Sequence, residues 1–251
     1  MDGGSVLEAG TDMLQNAIQK TMFAVSTDDL RPAMMGVYFD IGEEKTTFVA
    51  TDGHRLVRYT NSNIHSETPL SFIVPDKALN MVTRSLDGDE CTLVVTDDHA
   101  RFESGSTTVI TRLINEQYPN YESVIPRDND KNLRIDKDQM LSTVRRVSVF
   151  SSSTTRQIRL QLQNDKITIR AEDLDMSSEA KETISCEYGD DEMEIGFNAK
   201  YLADVLSNVD SEEAMFEFST PNRAGIVKPA EEDEGEEMLM LVMPVMLNSY
   251  A

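Results

Sequence analysis

The 251-residue sequence has no run of eighteen apolar residues, so no helix that crosses a bilayer is expected, and no membrane partner. Its first residues, Met1-Asp2-Gly3-Gly4-Ser5, have neither a basic region nor an apolar core. They read as a flexible lead and not as a signal peptide. Histidine is scarce: His54, His65 and His99 are not at metal-ligand spacing, and no HExxH, phosphate-binding P-loop or GxSxG occurs. An enzyme would need a nucleophile–base or metal constellation, and only Asp52 beside His54 hints at one. Turn duty explains Asp52 better, so no catalytic residue, metal or cofactor is expected. Cysteine is limited to Cys91 and Cys186, far apart and each in a strand-like segment. Two reduced core thiols in a cytoplasmic protein fit this better than a disulfide.

Basic residues are also few. Lys and Arg number 23 against 45 Asp and Glu, a formal net charge of −22. A chain this acidic repels nucleic acid on average. Part of the excess is local, because Glu231, Glu232, Asp233, Glu234, Glu236 and Glu237 crowd one stretch, which reads as a solvated insertion. The average charge therefore says little about any particular face.

What is present suits a globular chain of one or two domains, with 39% apolar and 27% charged residues. The stretch Ala50–Val57, Ala-Thr-Asp-Gly-His-Arg-Leu-Val, stands out. A β-branched run leads into it, and Asp52-Gly53 then signals a turn, since Gly tolerates positive φ and Asp bonds its own backbone. Leu56 follows beside His54 and Arg55. The stretch is either the rim of a surface pocket or an ordinary hairpin.

Hydrophobic periodicity predicts a helix from about Leu7 to Val25 and strands at Met34–Phe39, Thr46–Ala50, Arg55–Thr60 and Leu70–Val74. A second helix spans Lys77–Leu86, followed by strands at Cys91–Thr96, His99–Ser104 and Ser106–Leu113. After a linker the order returns: a helix at Lys137–Phe150, strands at Ile158–Leu162, Lys166–Ala171 and Glu194–Phe197, a helix at Tyr201–Val209, and strands at Ala214–Phe218, Gly225–Lys228 and Met238–Met243. Ala50-Thr51-Asp52 aligns with Ala171-Glu172-Asp173, and Lys77-Ala78-Leu79 with Lys200-Tyr201-Leu202. A period of this size means two copies of one α+β domain, expected at 1–126 and 127–251. The second copy has Leu174-Asp175-Met176 in place of the Gly-His-Arg-Leu turn.

Four segments in register carry a resemblance. They are Thr51-Asp52-Gly53-His54-Arg55-Leu56, the linker Tyr118-Pro119-Asn120-Tyr121 with Val124-Ile125-Pro126, Met193 through Tyr201, and Val242-Met243-Pro244-Val245-Met246-Leu247. Together they resemble the bacterial DNA polymerase sliding clamp family, the polymerase III beta subunit. The resemblance covers the family's second and third domains only. It implies a clamp fold of βαβββ-like units, two per domain, with two helices on an inner face and antiparallel sheets outside.

The same resemblance implies a non-catalytic processivity factor. Full-length members pair head to tail as homodimeric rings around double-stranded DNA without reading its sequence. They tether the polymerase catalytic subunit, the clamp loader and repair polymerases through short peptides with a Gln and Leu or Phe anchors. The peptide pocket carries over as Met34, Thr51, Gly53, His54, Arg55, Leu56, Pro119, Val124, Asn198, Tyr201, Leu241, Val242, Met243, Pro244 and Val245. Met side chains adapt to varied apolar partners, and Asn198 and Arg55 are expected to fix the peptide's polar groups. Thr155 and Ser123 depart from the Phe and Arg of some members, and Asn248, Ser249, Tyr250 and Ala251 run on beside the pocket.

For the DNA-facing helices the expected basic residues are Lys20, Arg31, Lys77, Arg84, Arg145, Arg146 and Lys200. They form either a sparse basic track or ordinary solvated helix charges. Val149 and Phe150 match an apolar pair at the family's subunit face, or are plain core. Without the first domain a ring cannot close, so this chain is expected to be a monomer. The alternative function is a peptide-binding adaptor that does not act on DNA.

Overall fold

The computed structural model describes residues 4–247. The expected lead at 1–3 and the tail at 248–251 lie outside the described residues. The chain separates into two compact units, one of residues 1–120 with 233–238, the other of 121–232 with 239–251.

The first unit is built from two β-α-β-β-β runs. The first run is β1 (Ser5–Gly10), α1 (Thr11–Met22), β2 (Gly36–Ile41), β3 (Thr46–Thr51) and β4 (Arg55–Asn61). The second is β5 (Leu70–Pro75), α2 (Asp76–Ser85), β6 (Glu90–Val95), β7 (His99–Ser104) and β8 (Thr107–Arg112). Each run gives its first strand to the other's sheet: β1 pairs with β6, and β5 with β2, all antiparallel. This exchange yields the strand orders β1-β6-β7-β8 and β4-β3-β2-β5. Neither run closes its sheet alone, so the unit folds as one core. Helix α1 buries Leu14, Ala17, Ile18 and Thr21, the i, i+3, i+4, i+7 stripe of an amphipathic helix, and packs beside α2. Phe39 lies edge-on to Phe48 at 4.8 Å and stacked on Phe72 at 5.1 Å, and all three are buried.

The second unit repeats the design. Strand β9 (Lys131–Asp136), α3 (Lys137–Ser148), β10 (Gln157–Gln163), β11 (Lys166–Asp173) and β12 (Ser178–Ser185) form one run. After the two-residue β13 (Glu187–Tyr188), the other run is β14 (Met193–Asn198), α4 (Ala199–Leu206), β15 (Glu213–Phe218), β16 (Gly225–Pro229) and β17 (Glu236–Val242), of which residues 239–242 belong to this unit. The same exchange recurs, β9 with β15 and β14 with β10. Asp136 caps α3 by accepting from the Gln139 amide at 2.7 Å, and Asn198 caps α4 by accepting from the Lys200 amide at 2.9 Å.

Several expected elements differ. The first helix begins at Thr11, not near Leu7, and the residues before it form β1, so Gly4 and Ser5 lead into a strand. Leu7 is the one buried residue of β1, and it sits seven positions before Leu14, in phase with the helix, so periodicity read it as helix. Strands β9, β12 and β13 were not expected. They bury little: β12 buries only Ile184, as suits a polar edge strand. The expected strand at Met34 starts at Gly36, because Pro32–Met34 forms a single 3-10 turn.

Candidate functional site

The turn between β3 and β4 is fixed by its own polar groups. The Asp52 carboxylate accepts from the His54 amide at 2.9 Å, the Arg55 amide at 3.0 Å and the Arg55 Nε at 3.2 Å. Thr51 Oγ1 donates to the Arg55 carbonyl at 2.7 Å and accepts from the Gly53 amide at 3.1 Å. Gly53 has φ +86°, the left-handed region that glycine occupies without steric cost. A side chain there would also meet Arg31, because an added Cβ would lie 2.7 Å from Arg31 Nη1.

Of the expected pocket residues on this unit, Gly53 and His54 are exposed and Met34 and Pro119 partly exposed. Arg55 is 6% exposed, paired with Asp52 and set over the Phe23 ring at 5.5 Å. Its guanidinium secures the turn and is not displayed to fix a ligand. Leu56 is 2% exposed and belongs to the core behind the turn, not to a rim. Tyr118 stacks on Tyr38 at 4.8 Å and donates to the Val49 carbonyl at 3.3 Å, which holds the chain just before Pro119.

On the second unit, β17 buries Leu239, Met240, Leu241 and Val242, and then Met243 emerges at 41% exposure. Pro244 and Val245 are partly exposed, and the Val245 amide donates to the Gly196 carbonyl at 2.9 Å. Gly196 lets this segment lie close to β14, since an added Cβ there would be 2.6 Å from Leu247. Asn198 is occupied by its helix cap and by a 3.3 Å bond to the Thr155 carbonyl, while Tyr201 is partly exposed and Val124 exposed. Met246 and Leu247 border a cavity of about 620 Å³ with Met193 and Pro221, which the sequence reading did not anticipate.

The expected basic track divides. Lys20 is not presented outward: its ammonium meets Glu236 at 2.8 Å in a pair that is largely buried, over the Tyr59 ring. The pair also shows that Glu236, unlike the exposed Glu231–Glu234, is no solvated insertion residue. Burial and Glu236 together push the Tyr59 hydroxyl far above its ordinary pKa. Arg31 lies on no helix and rests against the 51–54 turn. Arg146 is held by both Glu182 carboxylate oxygens at 2.9 and 2.8 Å, which keeps Glu182 below its usual range. Lys77, Arg84, Arg145 and Lys200 are exposed on α2, α3 and α4, with Lys200 near Asp204 at 3.3 Å. Val149 and Phe150, 78% and 41% exposed, are not core.

Both cysteines are free, Cys91 buried and Cys186 partly so, and burial pushes each thiol up to about 11. Among the described residues no group of three or more His, Cys, Asp or Glu is placed to hold a metal ion, and no helix is long and apolar enough to cross a membrane.

Comparison with known proteins gives consistent matches. Residues 8–120 match the family model described as DNA polymerase III beta subunit, central domain, and residues 122–245 match its C-terminal domain. The beta sliding clamp of Pseudomonas aeruginosa is 34% identical over 231 residues, 90% of this chain and 62% of that protein. That of Caulobacter vibrioides is 33% identical over 224 residues, 86% of this chain and 60% of that protein. The chain thus spans about three-fifths of the length of these relatives. A crystal structure of the Pseudomonas aeruginosa DNA polymerase sliding clamp superposes with a TM-score of 0.92 at 32% identity, over 98% of this chain and 68% of that one. A structure of the clamp from the same organism bound to griselimycin also has a TM-score of 0.92 and 32% identity, covering 98% and 67%.

Proposed function

This chain belongs to the DNA polymerase III beta subunit family, the beta sliding clamps, and from that premise we propose that it carries the partner-docking part of a clamp. The proposed activity is non-catalytic: capture of short peptides from the replicative polymerase, the clamp loader and repair polymerases. The residues proposed for it are the displayed ones, Met34, Gly53, His54, Pro119 and Val124 together with Tyr201, Met243, Pro244 and Val245. Thr51, Arg55, Leu56, Leu241 and Val242 support them from behind, and Asn198 holds the start of α4.

The observation that carries this reading is Met243. A strand that buries the five residues Met238–Val242 ends by exposing a flexible thioether side chain, which suits apolar anchors of varied shape. The griselimycin complex of the related clamp supports it as an instance of ligand binding by a clamp of this fold. The test is fluorescence anisotropy with a labelled Gln-x-x-Leu-x-Phe peptide. Micromolar affinity is expected, about −8 kcal/mol, with Met243→Glu weakening it on the order of a hundredfold. Unchanged affinity in that variant would refute the assignment.

In the full-length context the proposed role extends to encircling duplex DNA. Lys77, Arg84, Arg145 and Lys200 would make weak phosphate contacts, so affinity would fall steeply with salt. Val149 and Phe150 are proposed as the apolar part of a subunit face, and the 251-residue chain itself as a monomer. Sedimentation at micromolar concentration tests this; a species near twice 28.1 kDa would contradict it.

A further inference from the structure

The cavity beside Met246 and Leu247 lies wholly within the second unit, and none of the residues proposed above for peptide docking lines it. Its volume of about 620 Å³ falls in the range of small-molecule sites. Its walls are tied down. The turn at 219–223 is held at its base by Asn129, whose Nδ2 donates to the Glu217 carbonyl at 2.8 Å and to the Ala224 carbonyl at 3.2 Å. Arg223, at the end of that turn, pairs with Asp128. Opposite it, the Val245 amide bonds to the Gly196 carbonyl at 2.9 Å, and Leu247 packs over Gly196.

One wall atom is unaccounted for. Ser219 Oγ is buried and has no hydrogen-bond partner. A buried hydroxyl left unpaired lowers stability, and an alanine at this place would avoid that loss. The charges of the lining, by contrast, cancel. Lys131 and Arg159 face Glu192 and Glu194, with Arg159 on Glu194 at 3.0 Å and Lys131 on the neighbouring Asp130 at 3.3 Å. Met193, Pro221, Met246 and Leu247 supply the apolar surface, and the two thioethers adapt to the shape of a guest. Such a lining favours neither a cation nor an anion. It fits an apolar body that carries one hydrogen-bonding group.

We propose that this cavity is a binding site for an uncharged small molecule, an aromatic or aliphatic body bearing an amide, whose polar group pairs with Ser219 Oγ. The site is separate from the peptide-docking surface, so either reading stands or falls without the other. A charged analogue binds more weakly, because it gives up its hydration for a lining without spare charge.

The experiment titrates benzamide, and in parallel benzoate, into the 251-residue chain labelled with ¹³C at the methionine methyls, each signal being assigned by substitution. The expected result is a saturable shift of the Met193 and Met246 signals at millimolar benzamide, with the Met243 signal unmoved. Benzoate should bind at least about fivefold more weakly. Ser219→Ala should weaken benzamide about threefold to tenfold, while its melting temperature equals or exceeds that of the wild type. A lowered melting temperature would show that the hydroxyl serves the fold through bound water, and would overturn the proposal. So would the absence of a saturable shift, a shift centred on Met243, benzoate binding as tightly as benzamide, or unchanged affinity in Ser219→Ala.

Discussion

The β3–β4 turn and its counterpart between β11 and β12 are two answers to one design. In both, an aspartate at the strand end folds its carboxylate back onto the amides two and three residues on. Asp52 takes His54 and Arg55; Asp173 takes Asp175 at 3.0 Å and Met176 at 3.1 Å. The two aspartates are the pair that the sequence repeat aligns. Beyond that the turns part. The first closes in three residues, with Gly53 left-handed under Arg31 and a buried Arg55 as second partner for the aspartate. The second takes four residues, places Ser177 at φ +49°, and exposes Leu174 and Met176. Shared architecture therefore does not make the copies equivalent. One turn is locked and carries a loosely held cation, while the other is longer and has no buried arginine beneath it.

The aspartates offer the largest contrast. Asp52→Ala removes two amide bonds and the ion pair to a buried guanidinium, and is expected to cost about 3 kcal/mol. Asp173→Ala loses only the amide bonds, at about 1 kcal/mol. Urea unfolding of both variants measures the difference; equal losses would mean that Arg55 does not depend on Asp52.

A smaller effect is expected at the left-handed positions. Gly53→Ala forces a Cβ into the space of Arg31 at positive φ and should destabilise by about 1–2 kcal/mol. Ser177→Gly relieves the same backbone region in the other turn and should be neutral or stabilising by up to about 1 kcal/mol. Thermal melts of the pair read the sign directly, and a destabilised Ser177→Gly would contradict it.

The smallest effect concerns the thiols, one in each unit. Their folded pKa values lie above the ordinary value of 9.0, so the protonated thiol is favoured by folding. The stability this provides is complete below pH 9 and is lost as pH rises toward about 11. For the buried Cys91 the slope is at most about 1.4 kcal/mol per pH unit. Cys91→Ala should flatten the fall in denaturation midpoint between pH 9 and 11 more than Cys186→Ala does, because Cys91 is the more buried.

Much of this was legible in the sequence, for reasons that also explain the failures. Strands with several buried residues, such as β3 and β11, announce themselves by composition. Edge strands such as β12 do not, because polar residues on both faces, Ala180 and Ile184 apart, leave little apolar pattern. The aspartate turns were readable because Asx chemistry is local. The roles of Arg55, Leu56, Lys20 and Arg31 were not. Whether a side chain is displayed, buried or spent depends on residues far away in sequence, as with Lys20 on Glu236 and Arg31 on Asp52. Motif matching located the turn but could not tell its displayed residues from its supports.

The most direct test of the two-turn account is hydrogen exchange by mass spectrometry, with and without a saturating Gln-x-x-Leu-x-Phe peptide. The expected result is slowed exchange over residues 51–56 and 241–247, with residues 171–178 unchanged. Protection of 171–178, or none at 51–56, would contradict the claim that only the locked turn serves partner docking.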